Sequence, residues 1–392
     1  MLCDEIFGQE NFIEQIIWKK RATPPNDRVI GRNHEYILCY GKSESYELNL
    51  LPRTESTLSR YSNPDNDPNG PWSSADLSAN GKGGRLVKSC IFEIKNPATR
   101  LSYFPPKDKC WLYNQEKVDK FIKEGRISFR KSGAPFLKRY LNEVRQGQTA
   151  PTIWLDAGFS QDSAEEIKNL FNGENIFENP KPTTLVRRLL MVGTKNKNAT
   201  VLDFFSGSGT TGQAVLELNK EDGGKRNFIL CTNNGDEKSD HKIASDICYP
   251  RIKNVIKGYK NQKNEKIDGL GGNLKYYVTD FVEAEPTDKN KRKLVKESTD
   301  MLCILENAFE LIQETPEFKI FKNTDKYVGV IFYEEAIDEY KKAINEFSGH
   351  FNTYVFSMGD DPHAKKFADV KDKVTLCAIP EVILKVYREI FK

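Results

Sequence analysis

Residues 203–212 read Asp-Phe-Phe-Ser-Gly-Ser-Gly-Thr-Thr-Gly, with glycines at 207, 209 and 212. The apolar run TVLDFF precedes them and the helix-like run TTGQAVLEL follows. This is the context in which such spacing makes a ligand turn: glycine lets the chain bend sharply, and the helix start offers free N–H groups. A Gly-rich connection that binds nothing is the plain alternative. A pyrophosphate-binding turn wants an acid at the end of the next strand, about 20 residues on. Here that strand ends Cys231-Thr232-Asn233-Asn234, with no acid until Asp236 and Glu237. Asp203 instead sits just before the turn, where a carboxylate can neutralise the ammonium of S-adenosylmethionine. The letters GSGTTG taken alone also permit a dinucleotide oxidoreductase.

The elements that must hold this turn are readable from pattern. Residues 182–193 predict a helix with Pro182 in its first turn and Leu185, Leu189 and Val192 on one face. TVLDFF and RNFILCTNN predict strands, and SDICYPRIKNVIKGY predicts a helix with Pro250 near its start. That alternation signals a parallel α/β unit. Nearer the N-terminus, 11–18 and 35–40 predict strands, and 61–84 is a cluster of turn formers around Tyr61 and Trp72. CIFEIKN and LSYFPPKDKCWLY are strand candidates, and 116–124, 135–145 and 162–172 have helical spacing. The Lys-rich, turn-rich stretch 259–300 predicts a boundary. Beyond it come helix 301–313, strand YVGVIFY, helix 335–347, strands NTYVFSM and VTLCAIP, and helix 381–391, a small α/β domain.

Composition narrows the class. The 392 residues are 38% hydrophobic and 29% charged, with 23 Phe and 16 Tyr, which excludes wholesale disorder and a fibrous repeat. No run approaches the ~18 apolar residues of a membrane span. Asp4, Glu5, Glu10 and Glu14 exclude a secretory signal. Eight scattered cysteines without a CxxC pair argue against a zinc ribbon and for a reducing, cytoplasmic setting. The net charge of +3 hides an asymmetry: residues 81–145 hold 16 Lys and Arg against 6 Asp and Glu. Such a segment suits a polyanion, or is simply a solvated Lys-rich face.

The segment Asp203–Thr211 resembles the D-x-F-x-G-S-G-T-T motif of amino-group DNA methyltransferases. Asn179-Pro180-Lys181-Pro182-Thr183-Thr184-Leu185 resembles that family's segment before the strand, which helps hold the methionine end of the cofactor. Further motifs resemble the Mod subunits of Type III restriction–modification systems: Cys231-Thr232-Asn233-Asn234, Tyr249-Pro250-Arg251-Ile252, Asp4-Glu5-Ile6-Phe7-Gly8 with Asn11-Phe12, and His34-Glu35-Tyr36-Ile37-Leu38. So do Asn63-Pro64-Asp65-Asn66-Asp67-Pro68 with Gly70-Pro71-Trp72, and Pro105-Pro106 with Trp111. The likeness is close over about residues 1–280.

The resemblance implies an α/β fold with a Rossmann-like methyltransferase sheet, incomplete at the N-terminus, an inserted target-recognition domain and a small C-terminal α/β domain. It divides the chain into a sheet remnant at 1–60, target recognition at 61–176, the cofactor half at 177–262 and the C-terminal domain at 263–392. It implies methyl transfer from S-adenosyl-L-methionine to the N6 amino group of a flipped adenine in double-stranded DNA. Cofactor-binding residues would be Lys181, Pro182, Thr183, Thr184, Asp203, Phe205, Ser206, Gly207, Ser208, Gly209 and Thr210. Expected partners are DNA, a second copy and a restriction (Res) subunit, in the cytoplasm and off the membrane.

The family's D-P-P-Y motif, which accepts the flipped base, does not occur. Thr23-Pro24-Pro25-Asn26 and Phe104-Pro105-Pro106-Lys107 lack its acid and its aromatic, and Asp361-Pro362-His363 has one proline. No catalytic residue is therefore named; His34 beside a strand is more commonly a surface or structural histidine. The open readings are a methyltransferase that needs a missing piece, a non-catalytic DNA- and cofactor-binding module, and the oxidoreductase above. In the family's sheet order 3-2-1-4-5-7-6, residues 14–18 and 35–40 would be strands 6 and 7, and 200–205 and 227–232 strands 1 and 2. Strands 4 and 5 would lie in the missing N-terminal part, without which the half-sheets share no ladder; they would either rejoin directly or recruit those strands from a separate N-terminal fragment, recruitment or aggregation being the favoured expectation.

Overall fold

The computed structural model describes residues 2–27, 29–43, 46–80, 86–235, 240–283, 285, 287–324, 326–356 and 363–391. Asp236, Glu237, Asp361 and Pro362 lie outside the described residues. The chain forms a mixed α/β structure of two compact units, Met1–Tyr276 and Tyr277–Lys392.

In the first unit the β-branched and aromatic run Phe12–Lys19 is a strand at the centre of a three-stranded sheet. It pairs antiparallel with His34–Tyr40 and parallel with Ile153–Trp154. A second sheet pairs Thr200–Asp203 parallel with Asn227–Leu230. Among the described residues the two sheets share no ladder. The helix Thr183–Gly193 joins them through its side chains. Leu185 and Leu189 pack with Ile16, Trp18, Trp154 and Ala157. Val186 and Leu190 pack with Ala214, Val215, Leu218, Val201 and Phe228. Among the described residues Thr200–Asp203 and His34–Tyr40 each carry a ladder on one side only, and Leu202 and Tyr36 are exposed.

Between His34–Tyr40 and Ile153–Trp154, two strands of the first sheet, the chain forms a separate core of Leu77, Ile94, Trp111, Val118, Ile127 and Leu137. The helix Gln115–Lys123 sits where its spacing predicts, with the Asn114 side chain capping Lys117 N at 3.1 Å. The expected helix at 135–145 is not formed. Pro135–Tyr140 is instead the central strand between Trp72–Ala75 and Ile127–Phe129, followed by one 3-10 turn at Leu141–Glu143. One of its two partner strands lies some sixty residues upstream, and the Leu137, Leu141, Val144 spacing carries no trace of it. Phe136, Leu137, Lys138 and Tyr140 are all buried, so the run also lacks the alternation of a half-exposed strand.

In the second unit a five-stranded sheet runs Glu310–Glu314, Phe318–Lys322, Tyr327–Ile331, Phe351–Val355, Val374–Leu376. The first three strands are antiparallel and the last three parallel. Residues of helices Asp288–Glu306 and Glu381–Phe391 share a core with Phe321, Val328, Val330 and Tyr354. Ile337–Ile344 packs with Phe318, Ile320, Ile331 and Phe351. The expected helix at 301–313 is corrected at both ends. It starts at Asp288 behind a Thr287 cap, ends at Asn307 in the left-handed region, and is followed by the strand Glu310–Glu314. The Lys-rich stretch conceals that start, because its charges are the solvated face of a helix buried through Leu294, Val295 and Leu302.

Candidate functional site

Asp203 closes its strand, and its carbonyl accepts from Cys231 N at 2.8 Å, so the parallel ladder runs to the lip of the turn. Its carboxylate braces the turn, accepting from Phe205 N at 3.1 Å and Thr211 Oγ1 at 2.5 Å. Ser206 N returns to Cys231 O at 3.1 Å. Gly207 has φ 49° and Gly209, the residue before helix Thr210–Asp222, has φ 81°. Both lie in the left-handed region that favours glycine. A Cβ on Gly209 would stand 3.0 Å from the buried Cys248 Sγ, and one on Gly207 3.0 Å from Phe177 Cζ. Gly212 serves packing: its Cβ would come within 2.8 Å of Ile252. The turn is thus closely backed at Gly207, Gly209 and Gly212, while Phe205 is 94% exposed.

The structure brings the second predicted segment to this turn. Thr210 Oγ1 donates to the Lys181 carbonyl at 3.1 Å. Pro182 precedes helix Thr183–Gly193. Thr183 is buried, its N–H and hydroxyl both donating to Glu166, the hydroxyl at 2.6 Å. Thr184 Oγ1 donates to Ala157 O at 3.0 Å. The Lys181 ammonium pairs with Glu35 at 2.7 Å, which also holds Lys20 at 2.8 Å, and lies over the Trp18 ring. Glu35 is held below the ordinary carboxylate range by Lys181 and Lys20, which outweigh its partial burial. Ser206, Ser208 and Thr210 are buried. Of the predicted residues, Lys181, Thr184 and Phe205 are the ones with exposed side chains, and Asp203 is half-buried.

Sequence reasoning assigned no role to Glu166, Phe177 or Arg251, which lie against this segment. Arg251 was visible within Tyr249-Pro250-Arg251-Ile252; Glu166 was one more acid in the polar run DSAEEIKNLF and carried no signal.

The Asn/Asp-rich loop at 63–72 is ordered by its own side chains. Asn63 accepts from Asp67 N at 2.7 Å and donates to Asp67 O at 3.0 Å. Trp72 Nε1 donates to Asp65 at 2.8 Å and Tyr140 OH to Asp67 at 2.8 Å. The Lys138 ammonium binds both aspartates, at 2.5 and 2.6 Å. Lys138 holds both carboxyls below their ordinary range and is itself held above its own, the ion pairs outweighing its desolvation. Within the basic segment, Arg126 pairs with Glu143 at 2.5 Å and lies over the Phe121 and Tyr140 rings. Lys107, Lys123, Arg130, Lys131 and Arg139 are exposed.

The chain is 32% identical over 237 residues to the Type III restriction-modification enzyme StyLTI Mod subunit of Salmonella typhimurium, covering 59% of this chain and 35% of that one. It is 31% identical over 290 residues to the EcoPI Mod subunit of Escherichia phage P1, covering 66% and 43%. The Type II methyltransferase M.KpnI of Klebsiella pneumoniae is 28% identical over 298 residues, 68% of each chain. The chain thus spans well under half the length of the two Mod subunits. A family profile described as DNA methylase, of N6 and N4 methyltransferases, matches residues 1–300, and the chain belongs to that family.

Proposed function

We propose that the first unit holds the S-adenosylmethionine-binding and DNA-recognising parts of an adenine-N6 DNA methyltransferase of the Type III Mod kind. The observation that carries this reading is the turn at 203–211, with an acid at its lip, two glycines in the left-handed region and the Lys181–Thr184 segment tied to it. The residues fit the group. Asp203 would attract the ammonium of the methionine end, the helix start at Thr210 would offer N–H groups, and exposed Phe205 would give an apolar face to the adenosine. When bound, S-adenosylmethionine supplies the activated methyl. The chain's own part is to orient it and exclude water from one side.

The exposed cations of 86–145 would neutralise phosphates and set the register on the duplex. A second copy and a Res subunit are the partners this reading implies, in the cytoplasm. Because D-P-P-Y is absent from residues 1–392, we assign these residues no methyl transfer of their own. The one-sided ladders of His34–Tyr40 and Thr200–Asp203 are read as places for the strands that would accompany that motif.

Calorimetric titration with S-adenosylmethionine against NAD tests the reading. Binding of the first alone, abolished in Gly207→Val, is expected. NAD binding, or an unchanged affinity in Gly207→Val, would sink it. Tritium transfer to adenine by the 392 residues alone would overturn the assignment of no catalysis.

A further inference from the structure

Beneath the turn lies a fully buried arginine to which the sequence assigned no role. Arg251 is 0% exposed, on helix Tyr249–Lys257. A guanidinium has five N–H donors in a rigid plane, and each has a partner here. Nε donates to Gln213 Oε1 at 2.9 Å. Nη1 donates to Ser208 Oγ at 3.0 Å and Thr210 Oγ1 at 2.9 Å. Nη2 donates to Glu166 Oε2 at 3.1 Å and Thr183 Oγ1 at 3.3 Å. One side chain therefore grips both residues flanking Gly209, the helix that follows, and the start of helix Thr183–Gly193.

We propose that Arg251 is a positioning residue for the cofactor turn, setting its shape through the Ser208 and Thr210 hydroxyls with the half-buried Glu166 as its counter-ion. This deepens the reading of the turn as an S-adenosylmethionine site and rests on it. The bond from Arg251 occupies a lone pair of the Thr210 hydroxyl and so directs its proton to the Lys181 carbonyl. The two predicted cofactor segments are thereby locked to each other through one guanidinium. A lysine cannot do this, since its point charge lacks the planar fork.

Energetics favour geometry over stability as the role of this pair. Taking both charges from water costs about what their attraction returns, and apolar replacements of buried pairs are often neutral or stabilising. The double variant Arg251→Met with Glu166→Gln removes both charges, while Gln retains an acceptor for Thr183. Its melting temperature is expected to stay within a few degrees of the parent. Amide hydrogen exchange at 206–212 should quicken about tenfold or more, with the strand Asn227–Leu230 unchanged. S-adenosylmethionine affinity should fall about tenfold or more, the scale of one lost charge-assisted bond. A folded variant with parental exchange at 206–212 and parental affinity overturns the proposal. If the parent binds no S-adenosylmethionine yet the variant's turn exchanges faster, the functional reading fails and the positioning role stands. Should the double variant not fold, Arg251→Lys carries the same two readouts, because it keeps a charge beside Glu166 but loses the fork. Parental values there would equally overturn the role.

Discussion

Replacing Lys138 by methionine separates two roles that its place in the basic segment confuses. The side chains of Lys138 and Asp67 are 7% and 6% exposed, and that of Asp65 is 43% exposed. Methionine keeps the stem that packs near Trp72 but strands a buried carboxylate. Removing one partner of a buried pair costs about 3–5 kcal/mol. Asp65 can turn to water and Asp67 keeps Tyr140 and Asn69, so we take about 2–3 kcal/mol here. With a urea slope of about 1–3 kcal/mol/M, the transition of the region around Trp72 and Tyr140 moves down by roughly 1 M. Tryptophan fluorescence reports it, since Trp72 lies in the clamp.

The pH dependence follows from the directions of the shifts. Both aspartates are depressed, so their stabilisation is present above the ordinary carboxylate value near 4 and is lost as pH falls below it. Lys138 is raised, so its share is present below the ordinary ammonium value near 10.4 and is lost as pH rises past it. The gap between parent and variant should be flat from about pH 5 to 9 and narrow on both sides. Adding Asp65→Asn and Asp67→Asn to Lys138→Met should recover most of the loss. A Lys138→Met variant as stable as the parent, or unrecovered by the two amides, refutes the clamp.

The salt dependence of DNA binding should be unchanged in that variant, because its ammonium is already spent on two carboxylates, whereas Lys107→Ala or Lys131→Ala should each lower the log–log salt slope by up to about 0.9. Filter binding at several salt concentrations reads this. Gly209→Ala should cost about 1–2 kcal/mol from the left-handed backbone alone, more if Cys248 cannot yield, with a matching loss of S-adenosylmethionine affinity by calorimetry. Asp203→Ala frees Thr211 and Phe205 N, and should weaken S-adenosylmethionine about tenfold or more while leaving the melt within a few degrees.

The sequence by itself determined the strand, turn and helix around Gly207, because their signals are local: an apolar run, glycines at fixed offsets and an amphipathic helix within some twenty residues. The helices Thr183–Gly193 and Gln115–Lys123 were equally legible from their period, with Pro182 marking the start of the first. Where a partner from far along the chain decides, that legibility ends. Pro135–Tyr140 is a strand because Trp72–Ala75 and Ile127–Phe129 flank it, and its own spacing fits a helix as well. The charge of 81–145 suited a polyanion surface or a solvated Lys-rich face, yet only the tertiary structure shows that Lys138 faces inward onto two aspartates. The turn was readable; what holds it was not. Glu166, Phe177 and Arg251 reach it from three separate segments, and burying a charged fork there depends on five acceptors meeting in space. Local propensity is set by a residue's neighbours in sequence, but desolvation and hydrogen-bond satisfaction are set by its neighbours in the fold.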